Sequence, residues 1–121
     1  MAAGKYSLLI EQGTTLNLSL AYKDANNVPI DLTDYSAQMQ IKNNYADSAT
    51  TTYFSLSSTL DPDGTGITLG GVSGTIGIFI SAVSTSAANF DTAYYDLEIT
   101  SGSIVTRLIE GTVKLSKEVT R

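Results

Sequence analysis

Leu16-Asn17-Leu18-Ser19-Leu20-Ala21-Tyr22 decides the fold, because every second residue is apolar and those between are polar or small. Successive side chains of a strand point to opposite faces, so a period of two marks a segment with one face in a core and the other in water. The same pattern returns along the chain. Ala37, Met39 and Ile41 alternate with Gln38 and Gln40; Ile76, Ile78 and Ile80 with Gly77 and Phe79; Tyr95, Leu97 and Ile99 with Asp96 and Glu98; Val113 and Leu115 flank Lys114. Shorter candidate strands lie at 6–11, 53–56, 67–69 and 104–109. Between them stand turn formers that tolerate positive φ, as in Asp24-Ala25-Asn26-Asn27, Asp61-Pro62-Asp63-Gly64 and Ser101-Gly102-Ser103. Turns this frequent predict an all-β antiparallel sandwich or barrel of about seven to nine strands. One stretch reads differently: near 82–89, Ser84 or Thr85 is placed to cap a short helical turn containing Ala87 and Ala88.

The length, 121 residues, suits one domain with its own core, residues 1–121, and no linker or fixed-period repeat divides it. Residues 43–52, rich in Asn and Thr, read as a mobile loop. Hydrophobic residues make up 42% and charged ones 16%, a composition that folds. The net charge of −5 has the wrong sign for neutralising phosphates, so nucleic acid is not an expected partner. No apolar run approaches the ~20 residues that span a bilayer, and no basic-then-apolar leader is visible, so neither membrane insertion nor export is expected. With no His and no Cys the chain lacks the commonest general base, the thiolate nucleophile, the soft metal ligands and any disulfide.

The remaining chemistry rests on oxygen. Asp61 and Asp63, one residue apart before Gly64, resemble the opening of a calcium loop, but the strand beginning at Ile67 takes the place of the later ligands. Asp-Gly also makes a turn for backbone reasons alone, so Asp61 and Asp63 stay weak metal candidates. Asp96 and Glu98, two apart on a strand, share a face about 6.5 to 7 Å apart, within reach of the carboxylate spacing of glycosidases. Their alternation with Tyr95, Leu97 and Ile99 equally makes them the polar face of a half-buried strand, and no strained Gly-x-Ser-x-Gly turn accompanies the serines. A non-enzyme without a cofactor is expected. In Tyr94-Tyr95 the two rings take opposite faces, which puts Tyr95 in the core and Tyr94 at a surface or interface.

Ile10-Glu11-Gln12-Gly13-Thr14-Thr15-Leu16, Pro29-Ile30-Asp31-Leu32-Thr33-Asp34-Tyr35-Ser36-Ala37, Gly74-Thr75-Ile76, Tyr95-Asp96-Leu97-Glu98-Ile99, Arg107-Leu108-Ile109-Glu110-Gly111 and Glu118-Val119-Thr120-Arg121 follow one another in order. This series resembles small virion structural proteins of tailed bacteriophages, whose fold is an immunoglobulin-like β-sandwich similar to the N-terminal domain of siphophage baseplate upper proteins. The resemblance implies a non-enzymatic virion component, assembled in the host cytoplasm, that docks in many copies on the tail, baseplate or neck through contacts with other virion proteins. A capsid decoration protein is the alternative within that class. A carbohydrate-binding module is the alternative outside it, with Tyr6, Tyr45, Tyr53 or Tyr94 as stacking platforms in the absence of Trp.

Within this frame Asp31, Thr33 and Tyr35 read as a structural corner, in which Asp31 or Thr33 holds backbone N–H groups while Leu32 and Tyr35 enter the core. Arg107 is expected opposite Asp96 or Glu98 in a hairpin. Terminal strands are commonly free to pair with neighbours, which nominates segments 2–10 and 114–121, with Tyr6, Lys114, Val119 and Arg121, and Tyr94 beside them, as docking residues.

Overall fold

The computed structural model describes residues 4–43 and 51–119. Nine strands form in chain order: β1 (Gly4–Lys5), β2 (Leu8–Glu11), β3 (Leu16–Ala21), β4 (Ser36–Lys42), β5 (Thr52–Ser57), β6 (Gly66–Leu69), β7 (Thr75–Ile80), β8 (Thr92–Ser101) and β9 (Ile104–Ser116). They build two sheets. The larger runs β1-β9-β8-β4-β5, with β2 also on β9, and the smaller runs β3-β7-β6. This is the immunoglobulin arrangement: β3-β7-β6 occupy the places of strands B-E-D, and β9-β8-β4-β5 those of G-F-C-C′. The molecule is an all-β, immunoglobulin-like sandwich.

Alternation translates directly into burial. On β4, β7 and β8 the side chains Met39, Ile41, Ile76, Ile78, Ile80, Leu97 and Ile99 are almost completely inaccessible, and they meet across the sandwich in one core. Leu16, Leu18 and Leu20 face the same core but are only partly buried, because β3 is the outer strand of its sheet and no described strand covers its far side.

Two features depart from the expected plan. First, the sandwich is not wholly antiparallel: Gly4–Lys5 and Leu8–Glu11 both pair with β9 in parallel, in the registers Gly4↔Ile109 and Leu8↔Val113. A parallel pair has no tight turn to announce it, only two segments about a hundred residues apart. Second, the helical turn α1 spans Ala82–Ser86 and its cap is Ser81, whose hydroxyl accepts from the Ser84 N–H; Thr85 lies inside the turn. A further 3-10 turn, Gly71–Ser73, links β6 to β7. Most of 43–52 lies outside the described residues, though its ends meet, since the Asn43 N–H donates to the Thr51 carbonyl and the Thr51 N–H to Asn43 Oδ1. Among the described residues no helix is long and apolar enough to cross a membrane.

Candidate functional site

The outward face of the large sheet carries the densest set of charges. Asp96 and Glu98 point away from the core on β8, and the register sets them opposite Glu110 and Arg107 of β9. Arg107 and Glu110, three apart, belong on opposite faces of a regular strand. They share one here because the register shifts between Leu97 and Glu98, leaving Leu108 as an extra residue in β9. The bulge lets one guanidinium serve three carboxylates: Arg107 lies 3.4 Å from Asp96, 3.7 Å from Glu98 and 3.3 Å from Glu110. Lys5, on the neighbouring β1, pairs with the other oxygen of Glu110. The hydrogen bond from Lys5 holds the Glu110 carboxyl below its ordinary range, with help from Arg107. The Asp96–Glu98 pair is thus tied to a cation on the outer face of the sheet.

The other singled-out carboxylates organise backbone. Asp31 Oδ1 accepts from the Thr33 N–H at 2.9 Å and the Thr33 hydroxyl at 2.6 Å, and these bonds lower its pKa, the hydroxyl foremost. Leu32 is buried beneath that turn and Tyr35 packs against the core. Asp63 accepts from the Ser81 hydroxyl at 2.6 Å, the Ser84 hydroxyl at 3.0 Å and the Thr65 N–H at 3.0 Å. Its carboxyl is held well below the usual range, chiefly by Ser81. Asp61 closes the same turn through backbone alone, its N–H donating to the Thr65 carbonyl and its carbonyl accepting from Gly64. Among the described residues no three acidic side chains gather as a metal site would require. Asp63 therefore joins the β5–β6 connection to the cap of α1.

The opposite side of α1 is fastened by residues whose sequence context gave no signal. Buried Thr85 receives the Gly13 N–H and donates its hydroxyl to the Thr14 carbonyl, while buried Gln12 donates to the Ala88 carbonyl and accepts from the Glu118 N–H. Each bond joins positions at least 71 apart, and only the assembled fold brings them together.

The docking residues fare unevenly. Lys114 is exposed, but β9 is no free edge: β2 already pairs in parallel along Val113–Ser116. The expectation that both terminal strands are open is corrected for the C-terminal one. Tyr6 is half exposed and interrupts the edge between β1 and β2; Val119 is fully exposed; Arg121 lies outside the described residues. Tyr94 is half-buried on the outer face of β8, between Lys42 and Thr112 in register. Of the stacking candidates, Tyr53 is already stacked on Phe90 at 4.5 Å, and Tyr45 lies outside the described residues.

Sequence reasoning missed the open flank of the sandwich. Between β3 and β9 lies a cleft of about 390 Å³ lined mainly by Leu20, Tyr22, Ile76, Leu108 and Ile109. In the constant-type immunoglobulin order a strand A pairs beside B at this place. Here the N-terminal strands go to β9 instead, and the outer edge of β3 is left without a described partner.

No family model matches the chain, and no curated protein matches it. Among solved structures it is similar to the extracellular domain of the voltage-gated sodium channel β4 subunit, described as parallel homodimers that explain a role in cell–cell adhesion. The identity is 12% over 98% of this chain and 97% of that one, with a TM-score of 0.49.

Proposed function

We propose that this chain is a non-enzymatic structural component of a tailed-phage virion, docking in multiple copies on the tail, baseplate or neck. The observation that carries the non-enzymatic part is the engagement of Asp31, Asp63, Asp96 and Glu98, four of the five carboxylates singled out in the sequence, by turn backbone, helix cap or Arg107. The virion part rests on the ordered series of segments from Ile10 to Arg121. In the fold the described segments mark structural positions: the corner at Asp31, the β8 core strand at Tyr95–Ile99 and the bulged ion-paired strand at Arg107–Gly111. A surface of sheet edges, hydroxyls and few charges suits contact with neighbouring proteins, since a hydroxyl costs less to desolvate than an ion. Many symmetric copies retain a weakly bound domain by raising its effective concentration.

The test is mass spectrometry of purified particles of a phage encoding this chain, separated into heads and tails. Enrichment with tails, at a copy number that is a multiple of three or six, is the expected outcome. Near-stoichiometry with the major capsid protein would make the chain a capsid decoration protein, and its absence from both fractions would overturn the reading.

A further inference from the structure

We infer that the outer edge of β3 is a strand-pairing site for a second copy of this chain, the two β3 strands meeting antiparallel about a two-fold axis. This stands on edge geometry alone and is independent of the virion reading. Proteins normally guard sheet edges with charges, proline, bulges or covering elements, because an unpaired row of N–H and C=O groups templates another strand. The other edges here are guarded. The β1–β2 edge breaks at Tyr6 and carries Lys5 and Glu11. On the far side of the sandwich β5 and β6 close on each other, with Gly66 packed against Ser57 and Leu60 so tightly that a Cβ there would lie 2.9 Å from the Ser57 carbonyl oxygen. By contrast β3 has six residues in unbroken register with β7, and neither a charge nor a proline.

The chemistry of the flank specifies the occupant. A strand added beside β3 must offer apolar side chains at alternate positions toward the cleft and uncharged polar ones outward, and that is the pattern of β3 itself. Pairing Leu18 with Leu18 of the second copy sets Leu16 opposite Leu20, so all the leucines keep to the inner face. Leu16 of the second copy then stands beside Leu20, at the mouth of the cleft lined by Tyr22, Leu108 and Ile109. On the outer face Asn17 meets Ser19 across the axis. Each copy carries a net charge of −5, yet this register brings no two charged strand residues face to face. The partly buried leucines of β3 become covered, and the two small sheets merge into one of six strands.

Sedimentation over a concentration series reaching the high micromolar range tests this with exposed positions only. The natural chain is expected to form a concentration-dependent dimer. The double substitution Asn17→Lys with Ser19→Lys sets like charges opposite one another and should leave a monomer with an unchanged circular dichroism spectrum. So should Asn17→Asp with Ser19→Asp. Mixing the two variants should restore a one-to-one dimer, because each lysine then faces an aspartate. A natural chain that stays monomeric throughout, or a dimer that survives in the double-lysine variant, overturns the proposal.

Discussion

Gly111 shows how one missing side chain sets the path of the N-terminus. It lies in β9 opposite Tyr95, and a Cβ built there would come 2.2 Å from the Tyr6 carbonyl oxygen. Tyr6 passes close over this gap, its N–H donating to the Glu110 carbonyl, while the Tyr95 hydroxyl crosses it to donate to the Tyr6 carbonyl at 2.7 Å. The obstruction is backbone, which cannot swing aside as a flexible side chain would. Gly111→Ala should therefore cost about 1–3 kcal/mol, the usual range for overpacking, and thermal unfolding should show a lower Tm. An unchanged Tm would mean that the N-terminal strand shifts freely. Arg107 makes a second prediction at this scale. It sits where Asp96 and Glu110 face each other as like charges, an arrangement that is otherwise unfavourable across strands. Arg107→Gln should lower Tm at pH 7, and the gap to the natural chain should narrow as the pH falls below the ordinary carboxyl range toward the depressed value of Glu110, where that ion pair is lost; a gap that widens on acidification would contradict the ion-pair account.

Among the elements, those legible in the sequence were the strands with two different faces. Met39, Ile41, Leu97 and Ile99 alternate with polar neighbours because one face of the large sheet meets water, so β4 and β8 declare themselves. What was not legible depends on distant partners. The parallel pairing of β2 with β9 has no local signature, and neither does the bulge at Leu108, since Arg107-Leu108-Ile109-Glu110 reads equally well as an unbroken run. The helical turn was visible as a run of small residues, but its cap was misplaced. Ser81 excels there because the Asp63 carboxylate, eighteen residues earlier, accepts its hydroxyl proton. That tie gives the element a pH dependence. The folded-state pKa of Asp63 is depressed, so its contribution is fully present above the unfolded carboxyl value of about 4 and is lost as the pH falls below it toward the folded value. Asp63→Asn should lose that contribution already at pH 7 and show a shallower fall in Tm below pH 4 than the natural chain. Parallel acid limbs for the two proteins would remove Asp63 from the account.

Across the whole molecule the N-terminal strands run alongside the last strand, and this decides what a terminal deletion can report. β1 and β2 cover β9, Leu8 and Ile10 fill the core at 5% and 0% exposure, and Gln12 binds the Ala88 carbonyl just after α1 and the backbone of Glu118. Removing residues 1–11 strips two buried aliphatic side chains, each worth about 1.5–3 kcal/mol of burial. It also opens the edge of β9 from Ile109 to Ser116. Against a total stability of order 5–15 kcal/mol for a domain of this kind, the truncated chain should unfold at a much lower temperature or associate through the newly opened β9. Failure of such a chain to enter particles would then report lost folding, not a lost docking contact, whereas the substitutions at Asn17 and Ser19 leave the core intact and separate the two. The same deletion supplied with residues 1–12 as a free peptide should recover part of its Tm, by mass action on the strand position that the peptide refills. No recovery at saturating peptide, together with a Tm close to that of the full chain, would show that the parallel strands are dispensable to the fold.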